Sequence, residues 1–261
     1  MQNGICTPLY HPVRFAEECA VLDILSQGRL EMSVAIGYRR REAEAYGVDF
    51  AGRGRRTNEF LEIVRRLWTG ETVSFEGKHF TIKNARITPP PPRGHIPLFC
   101  GGFSDKALER VAKHADGYFG NLEFWEPYLE KVRACGKDPA SARIRLQGVF
   151  VVVARDPERA MHELAPYYHH VNNAYGQWHN EDQLATGLAD DTLLKPMTLD
   201  AFKASGILTI WTPSEAIAKF KAMRAKAPVE HFTMMLPPGL PPSQFVPYAE
   251  VFAKEVIPAF A

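Results

Sequence analysis

No apolar run in this sequence approaches the roughly 20 residues that a helical bilayer span requires. The longest, such as Val149 to Ala154, are far shorter. The start, Met1-Gln2-Asn3-Gly4, lacks the charged stretch and apolar core of a secretion signal. These absences argue against a membrane partner and for a cytoplasmic location. Charge of one sign is not in excess either. The 31 Lys and Arg face 30 Asp and Glu over 261 residues, a formal net charge of +1. Without a basic face there is no counterion release to drive nucleic-acid binding, so nucleic acid is not an expected partner. Cysteine is sparse: Cys6, Cys19, Cys100 and Cys135 are far apart, with no Cys-x-x-Cys pair. That argues against a zinc ribbon, a dithiol redox motif or a disulfide framework.

Several catalytic signatures are also missing. There is no Gly-x-Ser-x-Gly elbow, Walker loop, dinucleotide fingerprint or His-Glu-x-x-His, since His162-Glu163 has no second histidine at the required spacing. His169 and His170 are adjacent rather than four apart, which suits a loop or polar helix face better than joint ligation, and no metal is expected.

What is present is alternation. Val13, Ala16, Ala20 and Ile24 recur at helical spacing after Pro12, and Gly28 closes that helix. Arg29 to Ile36 then reads as a short buried strand ending at Gly37. The rhythm returns with Phe60, Val64, Leu67 and Trp68 on a helix, Ile96 to Cys100 as a strand, and Leu108, Val111, Ala112 and Ala115 on a helix. It continues with Gly117 to Gly120 as strand, Trp125 to Cys135 as helix, and Ile144 to Ala154 as a long strand with an irregularity at Gly148. Asp156-Pro157 caps a further helix, and Thr212-Pro213-Ser214-Glu215 has capping-box spacing. His231 to Leu236 then reads as strand and Ser243 to Phe260 as helix. Strands separated by helices imply parallel pairing, hence an α/β class with functional residues at the carboxyl ends of strands.

Two stretches interrupt the pattern. Glu71 to Arg93 reads as a small hairpin followed by Pro89 to Pro92, and residues 166–208 read as a polar, aromatic insertion on a rim. With them set aside, about five complete strand-helix units remain, plus the end of an earlier strand near Ile5. The expected organisation is one domain over residues 1–261, of (β/α)8 TIM-barrel type but incomplete.

The strongest local signal for chemistry is Phe99-Cys100-Gly101-Gly102-Phe103-Ser104-Asp105. Two glycines permit a tight turn and close ligand approach, and Ser104 can cap a helix whose free amides favour an anion such as phosphate. A plain strand-to-helix turn is the alternative. Ala35-Ile36-Gly37-Tyr38 ends another strand, where a flat ring could lie against small side chains, and a simple turn is again the other reading. Arg53, Arg55 and Arg56 precede a helix; guanidinium groups suit bidentate phosphate contact, although such clusters are usually solvated.

Taken together, these segments resemble the bacterial luciferase-like family of flavin-dependent monooxygenases and reductases. The likeness is carried by Tyr10-His11-Pro12-Val13-Arg14-Phe15-Ala16-Glu17-Glu18, Leu22-Asp23-Ile24-Leu25-Ser26-Gln27-Gly28-Arg29-Leu30, and Gly37 followed by Glu44-Ala45-Tyr46-Gly47-Val48. Leu67-Trp68-Thr69-Gly70, Phe75-Glu76-Gly77, Pro97 to Gly102 and Ala115-Asp116-Gly117 extend it.

The resemblance implies a (β/α)8 barrel holding reduced FMN, or in one branch a deazaflavin, at the strand ends. It places the phosphate against Gly101, Gly102, Phe103 and Ser104 with Arg56, and the ring or its chain near Ala35, Ile36, Gly37 and Tyr38. Some members have an arginine where Ile36 stands. Tyr167, Tyr168, Tyr175 and Trp178 of the insertion would close over the ring and shape the substrate pocket. No catalytic residue is assigned, because the family's histidine segment precedes the point at which this chain aligns, near the end of the third strand. The implied reaction oxygenates a small apolar organic substrate with O2, and a separate flavin reductase supplies reduced FMN. Hydride transfer by a deazaflavin enzyme, and a non-catalytic flavin-binding protein or incomplete fragment, are the alternatives. Absent strands would expose a sheet edge, so a homodimer or other homo-oligomer is expected to cover it.

Overall fold

The apolar stripes and caps of the sequence become a set of short parallel strands with helices between them. The computed structural model describes residues 2–186 and 194–260, and it divides into two compact units, Met1–Arg145 and Leu146–Ala261.

In the first unit the elements run β1 (Gln2–Cys6), α1 (Pro12–Leu25), β2 (Met32–Ala35), α2 (Arg40–Ala45), α3 (Arg53–Trp68), β3 (Val73–Glu76), β4 (Thr81–Ala85), β5 (Leu98–Cys100), α4 (Asp105–His114), β6 (Gly117–Asn121), α5 (Trp125–Ala134) and the start of β7 (Ile144–Gly148). β1 is parallel to β2, β2 to β5, and β5 to β6, with Ile5 opposite Val34, Met32 opposite Leu98 and Phe99 opposite Gly117. The segment near Ile5 is therefore a paired strand. β2 and β5 are buried along nearly their whole length, as a strand covered on both faces must be.

The helices bury their stripes on this sheet and on each other. α3 hides Phe60, Leu61, Ile63, Val64, Leu67 and Trp68, and the Trp68 indole donates to the Ala16 carbonyl of α1 at 3.1 Å. In α1 the buried residues are Pro12, Phe15, Ala16, Cys19, Ala20 and Asp23, while Ile24 faces outward. The stripe is thus rotated from the Val13–Ile24 line of the sequence reading. Burial follows the ring of Phe15, which packs 5.1 Å from Phe60 and 6.3 Å from Trp68. β3 and β4 form the expected antiparallel hairpin. Its turn is fastened to α3 by Glu59, whose carboxylate accepts from the amides of Lys78, His79 and Phe80 at 3.0, 2.9 and 3.1 Å.

The second unit holds the end of β7, β8 (Val151–Val153), α6 (Pro157–Thr186), α7 (Leu199–Ala204), β9 (Thr209–Trp211), α8 (Pro213–Lys226), β10 (Val229–Met234) and α9 (Pro242–Val251). The long strand expected over 144–154 breaks after Gly148. A Cβ there would stand 2.6 Å from the Phe232 ring, so glycine is what lets the chain bend at that point. β8 pairs in parallel with β9, Val151 opposite Thr209 and Val153 opposite Trp211. Thr212 and Glu215 complete the capping box of α8.

The insertion expected over 166–208 is resolved differently by the structure. Its first half continues α6 without a break, Pro166 included. The reason is a stripe at a spacing of four, Ala160, Leu164, Tyr168 and Asn172, each buried. The polar and aromatic composition hides that stripe from inspection. Residues 187–193 of the stretch lie outside the described ones.

Among the described residues, the strands of neither unit close into a ring. The fold is α/β of TIM-barrel type with the barrel incomplete. Among the described residues no helix is long and apolar enough to cross a membrane.

Candidate functional site

The carboxyl ends of β1, β2 and β5 bring together most of the cofactor residues expected from sequence, all within the first unit. Ala35 ends β2 opposite Cys6. Its carbonyl accepts from the Thr7 hydroxyl at 3.2 Å, and Thr7 meets Thr57 of α3 at 3.0 Å. Both threonines are fully buried, so the strand end is fixed to the neighbouring helix. Gly37 follows with φ of 71°, and a Cβ there would sit 3.6 Å from the Cys6 sulfur. The left-handed backbone is what calls for glycine; the sulfur is at ordinary contact distance. Tyr38 is 38% exposed beside it.

The Gly101–Ser104 turn joins β5 to α4. Gly101 donates to the Val34 carbonyl at 3.4 Å. A Cβ on Gly101 would lie 2.6 Å from the Phe119 carbonyl oxygen, and one on Gly102 would overlap Ala107. Ser104 caps α4 as expected, its hydroxyl accepting from Ala107 N. Among the described residues, the amides of Gly102, Phe103 and Ser104 have no hydrogen-bond partner. These free donors stand at the positive end of the α4 dipole and fit an anion. Phe103 is 54% exposed and packs 5.4 Å from Phe124.

The arginines separate. The Arg56 guanidinium donates to the Pro8 carbonyl at 2.9 Å and to the His79 carbonyl at 3.4 Å, and lies over the Phe80 ring at 4.2 Å. Burial lowers its pKa, with Glu59 opposing. Its contacts tie the turn after β1 to the hairpin. Arg53 is the arginine beside the Ala35–Tyr38 segment, donating to the Gly37 carbonyl at 3.2 Å and to the Phe50 carbonyl at 2.8 Å. α3 itself begins at Gly52 with no side-chain cap and no acidic residue in its first turn.

A further arginine escaped the sequence reading. Arg110 of α4 is buried, donates from Nε to Asn58 Oδ1 at 2.6 Å, and leaves Nη1 buried without a partner. The available signal was a charged residue next to the apolar face formed by Leu108, Val111 and Ala112. Nearby, burial pushes the Cys100 thiol up to about 11, although Arg110 pulls the other way.

The residues expected to shape a substrate pocket all lie on α6 of the second unit. Tyr168 is a core residue, 1% exposed, whose hydroxyl donates to the Met235 carbonyl at 2.7 Å. Tyr167 packs partly buried against the same core, and its hydroxyl reaches Gln244 at 3.4 Å. Tyr175 and Trp178 pair with ring centres 5.2 Å apart, Tyr175 being 38% exposed. His169 is on the helix, its Nε2 2.6 Å from the Met197 carbonyl. Among the described residues no cluster of three His, Cys, Asp or Glu is placed to hold a metal.

Comparison with known proteins follows from this geometry. Residues 3–231 match the family model described as luciferase-like monooxygenase. The uncharacterized protein Rv0940c of Mycobacterium tuberculosis (strain ATCC 25618 / H37Rv) is 37% identical over 111 residues, which is 42% of this chain and 38% of that protein. The match thus spans well under half the length of that curated relative. Among solved structures, riboflavin lyase (RcaE) with modified FMN and riboflavin superposes with a TM-score of 0.71 at 20% identity, covering 98% of this chain and 68% of that one. An F420-dependent secondary alcohol dehydrogenase in complex with an F420-acetone adduct gives 0.67 at 19% identity, covering 97% and 76%.

Proposed function

Because the chain belongs to the luciferase-like monooxygenase family, we propose that it is a flavin-dependent oxidoreductase that uses reduced FMN and O2 to oxygenate a small apolar organic substrate. The observation that carries this reading is the row of free amides at Gly102, Phe103 and Ser104 at the start of α4, a helix that packs through Arg110 on the uncapped, arginine-rich start of α3. Together they offer a dianionic phosphate backbone donors, a helix dipole and guanidinium charge.

When bound, reduced flavin supplies the electrons that activate O2. This chain's residues hold and orient it. Gly101, Gly102, Phe103 and Ser104 receive the phosphate, and Arg53 supports the carbonyl of Gly37. Arg56 keeps the turn after β1 against the hairpin. Ala35, Ile36, Gly37 and Tyr38 take the ring or its chain, with Gly37 leaving room beside Cys6. Apolar Ile36 and the Phe103–Phe124 pair would keep water from the reacting face. The same reading brings a separate flavin reductase, a cytoplasmic location and a homo-oligomer. The last is supported by apolar side chains left outward on α1, Val21 at 55%, Leu22 at 45% and Leu25 at 74% exposure.

A second reading, hydride transfer with a reduced deazaflavin and no O2, is favoured by the likeness to the F420-dependent alcohol dehydrogenase fold. Anaerobic fluorescence titration with reduced FMN and reduced deazaflavin separates the two. Tight FMN binding is expected, followed by O2 consumption with aldehyde, ketone or terpene substrates. Binding of the deazaflavin alone would replace the first reading by the second.

A further inference from the structure

Arg110 is 8% exposed, yet among the described residues no carboxylate lies within salt-bridge distance of it. Glu109, its neighbour in sequence, is paired with Lys113 instead. An uncompensated guanidinium under the surface is unfavourable, and a structure keeps one where something else repays the desolvation. The place it occupies is informative. Nη2 lies 2.7 Å from where a Cβ on Gly54 would stand, so a side chain at that position would displace the guanidinium. Nε holds Asn58 one turn further along α3. Nη1, buried and unpartnered, is at the same end of the helix.

The start of α3 carries more positive than negative charge: Asp49 stands beside its cap, with Oδ2 2.7 Å from where a Cβ on Gly52 would be and Oδ1 accepting from Ala51 N, against the arginines of the first turn. α3 starts at Gly52 without a side-chain cap, has no acid in its first turn, and carries Arg53, Arg55 and Arg56 there. Cations at the positive end of a helix dipole repel it. Two separate features, an unbalanced helix start and an unpartnered buried arginine pressed against it, therefore call for an anion at one location.

We propose that Arg110 is the positioning residue for the cofactor phosphate: it packs against Gly54, holds Asn58 by a hydrogen bond and adds a fixed positive charge to the anion site formed by the first turn of α3 and Gly102–Ser104. The proposal rests on the flavin-phosphate reading above. Arg110 acts through the α3 turn and does not touch the reacting atoms. Its charge favours FMN over riboflavin, which has the same ring and no phosphate.

The test uses the intact protein with Arg110→Met and Arg110→Lys. In each, dissociation constants for FMN and riboflavin are measured at constant ionic strength, along with the rise in Tm caused by inorganic phosphate replacing chloride. Arg110→Met is expected to weaken FMN about tenfold, the effect of one charge-assisted contact, with riboflavin unchanged. Phosphate should raise the Tm of the wild type and not of this variant. Arg110→Lys keeps the charge and guards against loss of folding; it should recover part of the FMN preference. An unchanged FMN-to-riboflavin affinity ratio, or equal phosphate stabilisation of wild type and Arg110→Met, overturns the proposal. So does a wild type that phosphate does not stabilise. A wild type that binds neither flavin but is stabilised by phosphate through Arg110 would overturn the flavin reading and leave the anion role standing.

Discussion

Arg145 grips Glu31 with both terminal nitrogens, Nη1 to Oε2 at 2.6 Å and Nη2 to Oε1 at 2.9 Å. The pair joins the residue before β2 to the second residue of β7. Arg145 also lies 3.8 Å over the Phe99 ring, with Arg143 4.8 Å over the same ring. A carboxylate and an aromatic face are thus among the groups that hold this buried cation.

Removing the carboxylate should therefore take away a bidentate counter-charge of the buried cation. Glu31→Gln is expected to cost about 2–3 kcal/mol, the low end for breaking a buried pair because Glu31 is partly exposed. The hydrogen bonds from Arg145, and then the charges of Arg145 and Arg143, hold the Glu31 carboxyl below its ordinary 4.5. A depressed carboxyl stabilises the fold above 4.5 and loses that contribution as the pH falls through its lowered value. Thermal melts from pH 7 to pH 3 should show a steeper acid loss in wild type than in the variant. Parallel curves would dismiss the pair as a source of stability.

Gly101→Ala would press a methyl group onto the Phe119 carbonyl oxygen, 2.6 Å from the new Cβ. Backbone cannot give way as a side-chain tip can. A loss of about 1–3 kcal/mol is expected from overpacking, together with weaker FMN binding as the Gly102–Ser104 amides shift. Titration of the folded variant checks the second effect, and an affinity equal to that of wild type would remove this turn from the site.

The four cysteines should divide by burial. Burial pushes the thiols of Cys19 and Cys100 up to about 12 and about 11, and both are enclosed, whereas Cys6 and Cys135 are partly accessible. A thiol reagent at pH 8 needs thiolate and access. It should label Cys135 in native protein and Cys6 more slowly, because burial and then Glu42 also raise the Cys6 thiol, and reach the other two only in denaturant, with peptide mass mapping as the readout.

Tyr168→Phe distinguishes a core tyrosine from a substrate contact. The variant leaves the Met235 carbonyl without its 2.7 Å donor and should lose about 1–2 kcal/mol of stability. Flavin affinity and kcat/KM should stay as they are. A selective fall in kcat/KM at unchanged stability would return Tyr168 to the substrate wall.

These outcomes track what a sequence can and cannot carry. Capping residues are local, and Ser104, Asp156 and Thr212 with Glu215 were legible because cap and amide lie within a turn of each other. The hairpin after α3 was legible for the same reason. The buried face of α1 was not, since it is set by Phe60 and Trp68 on another helix. Nor was the helical course of residues 166–186, where tyrosines and histidines conceal the stripe at Ala160, Leu164, Tyr168 and Asn172. In the candidate site, the two glycine turns stood out because their backbone needs are local. Choosing among Arg53, Arg56 and Arg110 required knowing which carbonyls and helix ends come together, and those partners are distant in the chain.

Glu59 gathers three successive amides of the hairpin turn, and the peptide bond after Lys78 lies inside that clasp. A protease that cuts after lysine must draw the chain out into an extended strand, which the carboxylate opposes. Intact protein should thus resist nicking at this position until the helix that bears Glu59 itself loosens. That makes the appearance of a cut after Lys78 a sensor of the first unit coming apart.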